Sequence, residues 1–120
     1  MEMPKPTDAD KEFFRSLVPD DPRVETKPMF GNLGAFVNGN MFMGLFGADV
    51  GIKLPVADRE ALLREEGAGP FGPAERPMGG YVTLPSSWRA APVRAEPWIT
   101  KALDHVGSLP AKVKKAKTPR

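Results

Sequence analysis

The 120-residue sequence contains no cysteine and a single histidine, His105. The first absence excludes disulfides, thiolate nucleophiles and cysteine-based zinc sites. The second excludes multi-histidine metal centres and paired-imidazole acid–base chemistry. No apolar run approaches the ~18 residues of a membrane span. The opening MEMPKPTDADKEFF lacks the apolar segment of a secretion signal, so a soluble cytoplasmic protein is expected. The apolar fraction is 41%, while Pro and Gly number 14 and 12. That balance points to one small domain of short elements joined by tight turns.

Positive charge is unevenly spread. Of 17 basic residues, five (Lys112, Lys114, Lys115, Lys117 and Arg120) lie in the last ten positions, leaving 12 basic against 15 acidic residues elsewhere. The sequence pI of 9.0 therefore belongs to the tail and not to the domain. The expected organisation is a folded domain over 1–107 and a basic, disordered tail over 108–120. Five cations can neutralise phosphates, so the tail is a candidate nucleic-acid contact. No aromatic residue is interleaved with its lysines, so base stacking is not available within it.

Thr7 ahead of Asp8 and Asp10 is a helix start, and Ala9, Phe13 and Leu17 with Phe14 and Val18 form an apolar face, predicting a helix over 8–18. Val24 to Phe30 reads as a first strand. Asn38-Gly39 is a type I′ hairpin signal between Gly34–Val37 and Asn40–Phe46. Strict alternation along the latter puts Phe42, Gly44 and Phe46 on one face and Met41, Met43 and Leu45 on the other. Gly47-Ala48-Asp49 turns into a strand over 50–54. Asp58 is expected to cap a helix reaching Glu66, with Gly67 as its stop. The Gly/Pro-rich stretch 67–80 is a loop with room for one short edge strand, and Tyr81 to Leu84 is a further strand. Ser86 or Ser87 is placed to cap a turn around Trp88. A last helix begins near Ala95, which keeps Pro97 in its first turn, and ends at Gly107. The fold class is α+β: two layers, an antiparallel meander of five to six strands with helices on one face.

Candidate chemistry is sparse. Gly31-Asn32-Leu33-Gly34 could cradle a phosphate, but no helix follows it and no Lys-Ser/Thr pair accompanies it, which favours a plain turn. His105 falls near a helix C-terminus, where a solvent-facing imidazole is the ordinary role. Glu65-Glu66 and Asp20-Asp21 are acid pairs of the kind found on solvated faces. A small-molecule site would need polar groups such as Arg76, Tyr81 and Arg89 to converge. No cofactor, metal or catalytic residue is expected. The Met41–Phe46 stretch, apolar on both faces, suggests a strand either covered on both sides or left for a second copy or another protein to cover.

The order KPMFGNLGAFVNGNMFMGL, VGIKL, EEGAGPF and GGYVTLP, followed by a Trp-bearing helix, resembles the TfoX N-terminal domain family, named for bacterial TfoX/Sxy-type competence regulators. Lys27, Met29, Phe30, Gly31, Gly34, Met41 and Phe42 fill the places of its motif. Asn32 stands where a second Gly is common, and Pro97 sits inside the usual last helix. The resemblance implies a two-layer α+β domain that self-associates, has no established catalytic activity and belongs to a regulatory protein. The competence role is tied to the two-domain members of the family. Three functions follow as expectations: a non-enzymatic regulatory or protein-interaction module, a nucleic-acid-associated protein acting through its tail, or a small-ligand-binding domain.

Overall fold

The computed structural model describes residues 5–29, 31–73 and 75–110; Phe30 and the five tail cations lie outside these. The first helix, α1, spans Asp8–Leu17. Thr7 Oγ1 accepts from Asp10 N–H at 3.0 Å, and Asp10 Oδ2 accepts from Thr7 N–H at 2.8 Å. This reciprocal box satisfies two donors that a helix start leaves orphaned. Arg89 reaches back to Asp10 at 2.8 Å and lies over the Phe13 ring at 5.0 Å, tying α1 to a 3-10 turn over Ser86–Ala90.

Six strands follow: β1 (Val24–Met29), β2 (Asn32–Val37), β3 (Asn40–Phe46), β4 (Asp49–Lys53), β5 (Gly69–Pro70) and β6 (Tyr81–Thr83). They form one antiparallel sheet in the order β1-β2-β3-β4-β6-β5. Asn38 and Gly39 carry φ of +56° and +78°, as a type I′ turn requires. Helices α2 (Val56–Leu63) and α3 (Glu96–Gly107) complete the α+β fold. Pro97 lies in the first turn of α3, where its missing N–H costs nothing. One face of α3 buries Ile99, Ala102, Leu103 and Val106 against the sheet; Phe14, Leu17, Leu62 and Trp88 join the same core.

Three local expectations are corrected. The second helix is shifted towards the N-terminus: it starts at Val56 directly after Pro55, so Asp58 lies in its first turn instead of capping it. Neither Ser86 nor Ser87 makes a capping bond, since the turn around Trp88 opens from Pro85. The third correction concerns β3. Ala35 pairs with Met43 and Phe36 with Met41, so Phe42 stands opposite no residue and forms a bulge. The bulge turns both Phe42 and Met43 into the core, each fully buried. Met41 is thereby moved to the face it shares with Gly44 and Phe46, away from Met43 and Leu45.

The packed chain runs past Gly107: Leu109 packs against the core, and Asn40 Nδ2 donates to the Pro110 carbonyl at 3.1 Å.

The Thr7–Asp10–Arg89 group has a measurable acid signature. The Thr7 N–H first, and then Arg89, hold the Asp10 carboxyl below its ordinary value of 3.8. A depressed carboxyl stabilises the fold above the unfolded-state value and loses that contribution as pH falls through the folded-state value. Thr7→Ala is expected to cost about 1 kcal/mol of stability. Asp10→Asn should lower the thermal midpoint at pH 7, with the gap to wild type closing as pH falls below that ordinary carboxylate range; a titration of both midpoints checks this.

Candidate functional site

In an antiparallel sheet, directly opposed residues share a face. The register therefore aligns Lys27, Gly34, Gly44, Gly51 and Thr83 in one row across β1, β2, β3, β4 and β6. This row lies on the face that, among the described residues, carries no helix. Three consecutive strands thus present glycine at the same level, and the sheet surface there is a shallow trough without side chains.

The trough is filled from its sides and from above. At Gly34 an added Cβ would lie 3.0 Å from each of Met29 Sδ, Met41 Sδ and Phe36 Cε1. At Gly44 it would lie 3.2 Å from Met41 Cε and 3.5 Å from Phe71 Cζ, and at Gly51 it would overlap the Phe71 ring. Phe71 comes from the loop after β5 and is 2% exposed. Its ring meets Phe46 edge-on at 6.2 Å and Tyr81 at 6.0 Å. Met78 N–H donates to the Phe71 carbonyl at 2.8 Å, closing the loop over the sheet. Tyr81 Oη donates to the Met41 carbonyl at 2.8 Å, and burial pushes this phenol up to about 12.

Among the described residues the cover is incomplete. A groove of about 180 Å³ remains, bordered chiefly by Met29, Met41, Phe46, Phe71, Pro73 and Met78. Three thioether side chains, Met29, Met41 and Met78, make this lining adaptable. Two cation–aromatic pairs flank it: Lys27 Nζ sits 4.9 Å from the Phe36 centroid and Lys53 Nζ 5.8 Å from that of Tyr81.

The motif residues separate by role. Met29, Gly34 and Met41 build the groove side of the sheet, and Lys27 is exposed at its margin beside Glu25. Gly31, at φ +83°, serves the turn between β1 and β2, while Phe42 is a core residue. Asn32 and Gly34 run within β2 and form no phosphate cradle; Asn32 Oδ1 instead accepts from Gly47 N–H at 2.9 Å. His105 sits on α3, across the sheet from Asn32. Arg89 is committed to Asp10 on the helix side, Tyr81 belongs to the helix-free face and Arg76 is exposed on the loop, so these three do not converge. Among the described residues no cluster of His, Asp and Glu could hold a metal ion, and no helix is long and apolar enough to cross a membrane.

Phe71, Met78 and the glycine row carry no site signal in the sequence. The only local trace of Phe71 is its setting, an aromatic residue between Gly-Pro pairs in GPFGP.

The glycine row yields a coupling test. Gly51→Ala should destabilise by roughly 1–3 kcal/mol through overpacking, and Phe71→Ala by about 3 kcal/mol or more through loss of a buried ring. The double variant should be much less destabilised than the two losses added, because removing the ring removes the clash. Denaturant unfolding of the four proteins measures this; simple additivity would place Phe71 elsewhere.

No curated protein sequence matches the chain. The sequence model of the TfoX N-terminal domain family matches residues 14–106, a span that runs from inside α1 to the last turn of α3 and takes in all six strands. Domains of this family are regulatory in general character. With the trough, the groove and the α+β architecture all inside the matched span, the chain belongs to the TfoX N-terminal domain family.

Proposed function

We propose that this chain is a non-enzymatic regulatory module that acts by binding protein through the helix-free face of its sheet. The observation carrying this reading is the Met- and Phe-lined groove over Gly44, an apolar surface that the described residues leave open. Contact with a protein partner is how the module would influence transcription or competence. A bait pull-down from the native cell tests this, with nuclease-treated and untreated extracts and with wild-type and Met41→Glu baits. The expected result is a protein retained by wild type, insensitive to nuclease and lost with Met41→Glu. Retention that vanishes with nuclease would move the function to the basic tail, and equal retention by both baits would remove the groove from it.

Self-association is a second reading, and β1 favours it. This edge strand packs chiefly on β2, with Glu25, Thr26, Lys27 and Pro28 exposed. Met29 pairs with Asn32 at the hairpin end, which turns the amide positions of residues 24, 26 and 28 towards the free edge. Pro28 has no N–H, and the Val24 N–H already donates to the Asp21 carbonyl at 2.9 Å. Thr26 alone keeps both backbone groups for pairing. Antiparallel pairing of two copies about Thr26 sets Glu25 opposite Lys27 of the second copy, twice. Sedimentation should show a weak dimer at high concentration. Lys27→Glu should abolish it and Glu25→Lys with Lys27→Glu should restore it; a monomer throughout, or a dimer indifferent to the single change, contradicts this reading.

A further inference from the structure

The groove does not end in neutral surroundings. Beyond Phe71 comes the Tyr81 ring, then Lys53, then Arg59 on α2. Lys53 Cε and Arg59 Nη1 lie 3.5 Å and 3.6 Å from where a Cβ on Gly80 would stand, so the two cations share one corner of the molecule. Neither has an ion pair among the described residues. Two neighbouring cations without a carboxylate repel each other, and an anion between them would relieve this. At the other end of β4, on the same face, stands Asp49 opposite Phe46. Along β4 this face runs from Asp49 through Gly51, which the Phe71 ring covers, to Lys53, and the apolar groove lies beside that line over Gly44, with Phe46 on the Asp49 side and Phe71 on the Lys53 side.

We propose that this face takes an extended acidic segment of another protein, with one large apolar side chain in the groove and carboxylates on Lys53 and Arg59. The proposal rests on the reading of the helix-free face as a protein-contact surface and names the chemistry of its partner. Size supports one anchor residue, because a cavity of about 150 Å³ suffices for a benzene ring. Spacing supports a short motif. Phe71, on the wall of the groove, to Tyr81 is 6.0 Å and Tyr81 to Lys53 is 5.8 Å; an extended chain rises about 3.3 Å per residue, so the acids fall within roughly four residues of the anchor. Charge fixes the direction, acids towards Lys53 and away from Asp49. A single-stranded nucleic acid suits the face less well, since Phe71 is buried and Lys27 lies over Phe36 where bases would stack.

Fluorescence polarisation with a labelled synthetic peptide tests this, using one Phe followed by Glu at the third and fourth positions after it. Wild type should bind it, with affinity falling as salt is raised. Lys53→Glu with Arg59→Glu should weaken binding by about tenfold or more. Replacing the peptide's Phe by Ser, or its Glu by Lys, should do the same. Both changed side chains are half-buried, and an unchanged thermal midpoint confirms that the variant is folded. Amide shifts at Gly44, Gly51 and Thr83 should report the bound peptide in wild type. The proposal is overturned if the Lys peptide binds as well as the Glu peptide, if the charge-reversed variant binds equally, if nothing binds at millimolar peptide, or if an oligo-dT strand or a second copy of the chain occupies the groove instead. Failure here alongside a groove-dependent partner in the pull-down leaves the protein-contact reading standing with different partner chemistry. Indifference to Met41→Glu in that pull-down removes the reading itself.

Discussion

The absence of side chains at Gly34, Gly44 and Gly51 is the constraint on which the helix-free half of the molecule depends. A sheet this small has one helical layer to spare, and α3 with α1 and α2 uses it on one side. The other side would need a second layer or a polar surface. The glycine row supplies a third solution. It lowers the floor of the sheet enough for one aromatic ring, carried on a loop, to lie directly on the backbone and replace a layer. Glycine weakens a strand interior by entropy and lost packing. Here Phe71, Met41 and Met29 recover packing in the space the missing side chains leave.

The bulge at Phe42 works with that trough. Unbroken alternation would have put Phe42, Gly44 and Phe46 on one face. By adding a residue opposite the Ala35–Phe36 step, β3 sends Phe42 and Met43 into the core together and turns the flexible Met41 side chain towards Gly34 and Gly44. A rigid phenyl ring on the trough side is exchanged for a thioether that adapts to Phe36 and Phe71. Core packing and the character of the helix-free face are set by the same local irregularity.

What could be read from the residues, and what could not, divides by range. Thr7 with Asp10, Asn38-Gly39 and Pro97 act within a few residues, and each local rule places its element correctly. Pro55 overrode Asp58 because a proline ahead of the helix fixes its entry more firmly than an acid that could serve equally well in the first turn. The bulge was not legible, since nothing in NMFMGLF breaks the period; it is decided by pairing with β2. The landing place of Phe71 was not legible either, because it depends on three glycines in three strands coming level only once the register is set. Lys53 and Arg59 escaped for a similar reason: their adjacency is created by α2 folding back beside the end of β6.

The most direct test of this account is the set of through-space proton contacts made by the Phe71 ring in solution. The account predicts strong contacts from its ring protons to the Hα protons of Gly51 and Gly44, weaker ones to Phe46 and Tyr81, and contacts from the Phe42 ring only to core residues. A Phe71 ring without contacts to either glycine, or a Phe42 ring lying over Gly44, would contradict it.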